Sequence, residues 1–347
     1  MSSTINPTKS SQSAISGQSS NANSSARLMT QLVNGLLAVK PLAALAKHQA
    51  RSMMIKRAES IGVPWTATVQ ELGEINWESY LQQVQNPQIQ YPDYYLRSFH
   101  AYAEGNMSWQ AAWEVEVAAK AVHAGIWQDA GKEGDRKLRD SYHQLLLEHI
   151  PQAPEIIVDL GCSVGMSTAA LQATYPQAQI TGVDLSPYFL AVANYNTQQQ
   201  KTQATNQGGD QTENLENKPA NYQVNPQTTQ WIHAAAENTG LPSNSCDLVS
   251  IFLMCHELPQ SATLKIFQEA KRLLRPQGHL AIMDMNPQSP IYAQMAPYIF
   301  TLLKSTEPYL DQYFSLDIEA ALVQAGFQSP QIIPNTLRHR TIISQLP

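Results

Sequence analysis

Cysteine is scarce in this sequence. The three in 347 residues, Cys162, Cys246 and Cys255, are too few and too irregularly spaced for a disulfide framework or a zinc cluster. No metal site is expected, and a reducing compartment fits best. Charge is sparse too: 14% of residues are charged and the net charge is -6. That leaves no broad basic surface of the kind that grips a nucleic-acid backbone, so nucleic acid is not an expected partner. Long apolar runs are also missing. No stretch reaches the ~18 consecutive apolar residues of a membrane-spanning helix, and the N-terminus lacks the charged-then-apolar order of a secretory signal. A soluble, cytoplasmic protein is expected, long enough for a core domain with an appendage. Its oligomeric state is left open.

Residues 1–25 are dominated by Ser, Asn, Gln and Thr, with too little apolar surface to offset the entropy of ordering, and are expected to be a disordered tail. From Arg27 to about Gly62, apolar residues including Leu28, Leu32, Leu36, Met53, Met54 and Ile55 recur at helical spacing among Lys40, Lys47, Arg51, Lys56 and Arg57. Pro41 splits the run into two helices. Such a basic pair is read first as a cap packed on the main domain, and second as a peripheral contact with a membrane surface, without stable insertion. The stretch "YPDYYLRSFHAYAEGNMSWQAAWEVE", Tyr91 to Glu116, mixes tyrosines and tryptophans with His100, Asp93 and Glu104. It suits a wall or lid around an organic ligand, or plain core. Residues 26–134 are therefore a helical, aromatic-rich cap region.

Residues 135–347 read as a second unit. After a helix ending near Ile150, short apolar runs alternate with helical patterns, the signature of a parallel sheet covered by helices. Strands are expected at Ile156 to Leu160, Gln179 to Leu185, Trp231 to Ala235, Asp247 to Leu253, His279 to Met285, Gln331 to Ile333 and Arg340 to Ile343. Ser186 and Pro187 open a helix as cap and first-turn residue. Residues 196–230, crowded with Gln, Asn and Thr, break the rhythm and are expected to be a solvated insertion.

The first strand ends in "VDLGCSVG". A strand, a glycine turn and a helix bring backbone amides to bear on a ligand. A dinucleotide site would show Gly-x-Gly-x-x-Gly. Here the spacing is Gly-x-x-x-Gly, from Gly161 to Gly165, with Asp159 two residues before the first glycine. That carboxylate would repel a pyrophosphate but suits a cationic amino-acid end. Asp184, in "TGVDLS", closes the next strand, from which it could accept both hydroxyls of a ribose. The ligand implied is an adenosine joined to an amino acid.

In order, "VDLGCSVG", "GVDLS", "AAAENTGLP", "CDLVSIFLMCHEL" and "RLLRPQGHLAIMD" resemble the successive motifs of the class I S-adenosylmethionine-dependent methyltransferases, over roughly Asp140 to Ile343. The likeness extends to small-molecule members of the type 11 group. It implies an α/β fold, a Rossmann-like seven-stranded, mostly parallel sheet with helices on both faces and an antiparallel last strand, here with an N-terminal helical cap. It implies S-adenosyl-L-methionine as cofactor. By that resemblance Asp159, Gly161, Cys162, Ser163 and Gly165 line the methionine end, Asp184 holds the ribose, Leu185 lies beside the adenine, and Ala236 and Glu237 border it. Ser163 departs from a common glycine, and Ala235 from a common acid.

A sulfonium is an activated methyl donor, so alignment and water exclusion are the protein's main tasks. A general base is needed only if the acceptor must lose a proton. The candidates are His256, as base or acceptor-orienting group, then His100 and Glu104. Asp284, ending the fifth strand, lines the pocket or caps a loop. The acceptor expected is a small, partly apolar organic molecule. The competing readings are a catalytically silent cofactor-binding or regulatory module and, against the glycine spacing, a nicotinamide oxidoreductase.

Overall fold

The computed structural model describes Met29, Gln31 and residues 40–99, 102–206 and 222–347. The tail expected over residues 1–25, most of the first basic helix, His100 and the middle of the insertion lie outside the described residues. Among the described residues the N-terminal part includes the helices α1 (Lys40–Ser60), α2 (Trp65–Gly73), α3 (Glu78–Val84) and α4 (Trp109–His123), and α5 (Gly134–His149) leads into the sheet.

The alternating pattern then becomes a seven-stranded sheet. In chain order the elements are β1 (Ile156–Leu160), α6 (Met166–Thr174), β2 (Gln179–Asp184), α7 (Pro187–Asn206), β3 (Thr229–His233), β4 (Cys246–Phe252), α8 (Gln260–Leu273) and β5 (Leu274–Met285). There follow α9 (Pro290–Ala293), α10 (Pro297–Thr306), α11 (Leu310–Ser315), α12 (Ile318–Ala325), β6 (Gln331–Pro334) and β7 (His339–Gln345). The strands lie in the order β3-β2-β1-β4-β5-β7-β6. Neighbours from β3 to β5 pair in parallel, while β7 runs antiparallel to both β5 and β6.

Period-two alternation decides which side chains meet which helices. Ile157, Leu248, Ala281 and Ile343 face Leu138, Tyr142 and Leu146 of α5 and Leu171 of α6. Val158, Leu160, Val249, Ile251, Leu280 and Ile282 face Ile266 and Phe267 of α8 and Leu322 of α12. Both faces are buried, which is why the strands read as nearly continuous apolar runs.

The N-terminal helices pack on the protein. Ala58 and Trp65 meet Val117 and Ala121 of α4. The Arg51 guanidinium pairs with the fully buried Glu114, which also accepts from the Tyr102 hydroxyl at 2.7 Å. Trp77, Ala111 and Ala112 pack on Val164, Phe189 and Val192, beside the glycine turn. No helix among the described residues is long and apolar enough to cross a membrane.

Several boundaries differ from the sequence reading. β3 starts two residues early, at Thr229. β5 reaches back to Leu274, which pairs with Cys246 across a register shift, with Gln277 at φ 68. The Pro-Gln-Gly signal there reads as a turn but marks a bulged strand start. α7 runs into the Gln-rich segment as far as Asn206, since Gln is a good helix former. On it, buried Thr197 accepts from the indole of Trp231 at 3.1 Å.

Candidate functional site

The chain leaves β1 towards β2 on one side, while β4 flanks β1 on the other, so a crevice opens at the carboxyl ends of β1 and β4. In open α/β sheets this switch point is where ligands bind. The turn there packs three left-handed residues into five: Gly161 at φ 71, Ser163 at φ 52 and Gly165 at φ 87. The glycines adopt this conformation freely, whereas Ser163 holds it at a cost of roughly 1–2 kcal/mol. The amides of Gly161 and Cys162 donate to the Val183 carbonyl at 2.8 and 3.1 Å, locking the turn to β2. A Cβ on Gly161 would run into the Met254 thioether, and one on Gly165 into the Trp231 ring. The glycines thus admit these two side chains, which close the turn from either side. Cys162 is buried, its thiol against the Ser163 carbonyl.

Two carboxylates flank the turn. Asp159 is fully buried; one oxygen accepts from the hydroxyls of Ser167 and Thr168 at 2.7 and 2.6 Å, tying β1 to the first turn of α6. Its other oxygen, Oδ1, is buried without a partner among the described residues, as is the Ser163 hydroxyl. Such orphan groups cost free energy unless a ligand satisfies them. Asp184 accepts the amides of Ser163 and Ser186, each at 2.8 Å. Burial raises both carboxyls to about 6, against the hydroxyl and amide bonds that favour their charge. Two buried carboxylates, one with an unsatisfied oxygen, and the unsatisfied Ser163 hydroxyl form an acceptor set that fits an ammonium and a pair of hydroxyls, and so fits the cofactor that the motifs imply.

Beyond Asp184, Leu185 is buried and its carbonyl lies 3.1 Å from His233 Nε2. Ser186 caps α7, its hydroxyl accepting the Phe189 amide at 3.3 Å. After β3 the chain turns through Ala235 and Ala236, and the Glu237 carboxylate accepts from the Tyr94 hydroxyl. The Tyr91 hydroxyl reaches His233 Nε2 at 3.2 Å. The aromatic stretch therefore divides. Its tyrosines at 91, 94 and 95 stand on the rim, whereas Trp109 stacks on Trp77 and Trp113 and meets the Tyr188 ring edge-on, packed against the cluster of Trp77, Ala111 and Phe189. His233 escaped the sequence reading, although a single imidazole closing a strand just before the "AAAE" motif was a signal for it.

On the other side of the crevice, β4 gives way to Leu253, a non-glycine residue at φ 54, before the short turn Cys255–Glu257. His256 Nδ1 lies 2.7 Å from Asp284 Oδ1, and the His256 amide donates to Asp284 Oδ2 at 3.2 Å. The Met285 amide donates to the same carboxylate at 2.7 Å, and Asp284 is fully buried. The Tyr313 ring stands edge-on to the imidazole at 6.4 Å, its hydroxyl donating to the Met285 carbonyl at 2.6 Å. Burial works against charge on His256, but the adjoining carboxylate outweighs it and lifts the imidazole to about 10. Nε2 makes no hydrogen bond among the described residues. Glu104 is exposed in the turn before α4, and His100 lies outside the described residues.

Residues 158–282 match a family described as a methyltransferase domain. The chain is 26% identical over 187 residues to the malonyl-[acyl-carrier protein] O-methyltransferase of Methylovorus sp. (strain MP688), covering 53% of this chain and 54% of that protein. It is 28% identical over 221 residues to the O-methyltransferase cnsE of Penicillium expansum, covering 60% and 65%. The chain thus spans about half to two thirds of the length of these relatives. Among solved structures it resembles phosphoethanolamine N-methyltransferase 2 of Haemonchus contortus in complex with S-adenosyl-L-methionine, at 13% identity and TM-score 0.48, over 71% of this chain and 61% of that one.

Proposed function

We propose that this chain, which belongs to the class I S-adenosylmethionine-dependent methyltransferases, methylates a small, partly apolar organic acceptor at an oxygen atom. The observation that carries the reading is the pair of buried acids, Asp159 and Asp184, beside a glycine turn that leaves Asp159 Oδ1 and the Ser163 hydroxyl unsatisfied. S-adenosylmethionine, the cofactor of this class, supplies an activated methyl group on a sulfonium. Asp159 and the turn from Gly161 to Gly165 then hold the cationic amino-acid end, and Asp184 accepts from the ribose. Leu185, Ala236 and Glu237 border the adenine, while burial of both acids in low dielectric strengthens each contact.

His256 stands on the acceptor side. With Asp284 on Nδ1 and a pKa near 10, it is a cation at neutral pH. A cation cannot take a proton, but it can orient and stabilise an anionic acceptor oxygen through Nε2. His256 is therefore an acceptor-orienting group in this account and Asp284 its positioning residue. The names of the two curated relatives, both O-methyltransferases, support oxygen as the acceptor atom. Residues 135–347 serve as the catalytic unit, with residues 26–134 as its cap. Three buried free thiols favour a reducing cytoplasm.

The test is turnover of S-adenosylmethionine to S-adenosylhomocysteine by the purified full chain across a panel of carboxylate, phenol and enol acceptors. Acceptor-dependent turnover that falls in His256→Gln, with cofactor affinity unchanged, supports the assignment. Cofactor binding without turnover on any acceptor favours the silent-module reading instead.

A further inference from the structure

A buried cation borders the crevice from the helix that leads into the sheet. Arg139, on α5, is almost wholly buried, and its guanidinium lies 4.5 Å from the centre of the Phe252 ring, at the end of β4. Its Nη2 is 3.8 Å from the thioether of Met166, the residue that follows Gly165 and opens α6. The group therefore stands where the carboxyl end of β4 meets the first turn of α6, and its charge reaches Asp159.

Asp135, one turn earlier on α5, holds the fork. Its carboxylate accepts from Arg139 Nε at 2.9 Å and from Nη2 at 3.4 Å. Asp135 Oδ1 also lies 2.7 Å from Nδ1 of His123, the last residue of α4 in the cap. This approach depends on Gly134, where a Cβ would run into the His123 carbonyl and the Ala124 Cα. Burial works against charge on Asp135, but Arg139 and then His123 outweigh it and hold the carboxyl well below the usual range. His123, Asp135 and Arg139 thus form one buried chain from the cap to the crevice.

A guanidinium carries five N–H donors. Nε is spent on Asp135, and Nη2 is shared between Asp135 and the Met166 sulfur. Nη1 makes no hydrogen bond among the described residues, so its two donors remain for an acceptor from outside the chain. Bordering the same turn of α6, Asp159 Oδ1 is buried without a partner. One group lacks an acceptor and the other lacks a donor. Their joint complement is a carboxylate next to an ammonium, the zwitterionic end of an amino acid.

We propose that Arg139 receives the carboxylate of the cofactor's amino-acid end through Nη1, and that Asp135 and His123 are the positioning residues that aim it. This role rests on the cofactor reading above. Because His123 belongs to the cap, the seating of α4 is coupled to the amino-acid end of the pocket. A lysine could supply the charge at position 139 but not the planar fork that engages Asp135 and a second carboxylate together.

Calorimetric titration of the full-length protein with S-adenosylhomocysteine, and with its decarboxylated analogue, which keeps the ammonium and lacks the carboxylate, tests this. Wild type should bind the analogue at least about tenfold more weakly. Arg139→Gln should lose at least about tenfold on S-adenosylhomocysteine and less than about threefold on the analogue, while near-ultraviolet circular dichroism reads the fold. If Arg139→Gln does not fold, Arg139→Lys should show the same selectivity with a smaller loss. His123→Ala should lose about threefold or more on S-adenosylhomocysteine alone, an effect that a general loosening of the fold would spread over both ligands. Equal wild-type affinities, or equal losses on the two ligands in the Arg139 variant, overturn the carboxylate role and leave the cofactor site standing. An unchanged S-adenosylhomocysteine affinity in folded His123→Ala overturns its positioning role. Binding of neither ligand by folded wild type overturns the cofactor reading and this one together.

Discussion

Acidification should unload the cofactor site, and the structure sets how steeply. Asp159 and Asp184 are buried and titrate near 6 instead of in the usual carboxylate range. Both must be ionised to hold an ammonium group and to accept from ribose hydroxyls. At pH 7.5 a group with a pKa of about 6 is almost wholly ionised, and at pH 5 only about one-tenth is, so each required carboxylate lowers affinity about tenfold across that interval. The two sites lie across one turn and titrate as a coupled pair, so the combined loss should fall between about tenfold and about a hundredfold, or roughly 1.4 to 2.8 kcal/mol. Acid is a cleaner perturbation than mutation here. Asp184→Ala also strands the amides of Ser163 and Ser186, and each stranded buried donor costs about 1–3 kcal/mol of stability. The assay is calorimetric titration with S-adenosylhomocysteine from pH 7.5 to 5, with near-ultraviolet circular dichroism to confirm that the protein stays folded. An affinity flat down to pH 5 would be the behaviour of ordinary exposed aspartates and would refute the assignment of both acids.

Other expectations follow from single contacts. His143 is buried with neither ring nitrogen partnered among the described residues, and burial lowers it to about 3. A histidine with a folded pKa below its unfolded value binds fewer protons when folded, so its contribution is intact above about 6.5 and shrinks as pH falls towards 3. The loss by pH 5 is about 2 kcal/mol. Denaturant unfolding of His143→Phe should therefore show a flatter acid limb than wild type; parallel limbs would contradict the burial. Gly161→Ala forces a Cβ against Met254 at positive φ and should cost about 1–3 kcal/mol in the same assay. Met254→Ala should recover part of that loss, and no recovery would mean that backbone strain alone sets the cost. Asp284→Asn should lower the His256 pKa, read by nuclear magnetic resonance, and cut kcat about tenfold or more with the cofactor Kd unchanged. Deleting residues 207–219 should leave S-adenosylhomocysteine affinity intact, since α7 and its Thr197–Trp231 contact are kept.

The motifs that form the candidate site were legible because each marks the carboxyl end of a strand, where periodicity, an acid and a turn coincide. Asp159, Gly161, Gly165 and Asp184 stand there for local reasons. What escaped notice depends on long-range contact. Nothing in "QVQNPQ" says that the Asn86 amide meets a histidine ending β3, because that bond spans the cap and the sheet. Nothing in "WEVEV" marks Glu114 as buried, yet it is fully buried, its charge matched by Arg51 from another helix. The Gln-rich run after Tyr195 lacks the aliphatic residues that announce a buried helix. It stays helical through backbone propensity and contacts such as Gln198 to Gln83 at 2.8 Å, which a hydrophobic pattern does not register. His256 stood out by position, but its charge did not. The composition of "MCHEL" fits a neutral base, and only the Asp284 carboxylate, brought up from β5, makes it a cation.

The most direct test of the central claim is calorimetry of S-adenosylmethionine and S-adenosylhomocysteine against the purified full-length protein at pH 7.5, with folded Asp184→Asn alongside. Both ligands should bind with micromolar affinity, weakened at least about tenfold in the variant. A folded wild-type protein that binds neither ligand, or a variant that binds as tightly as wild type, would contradict it.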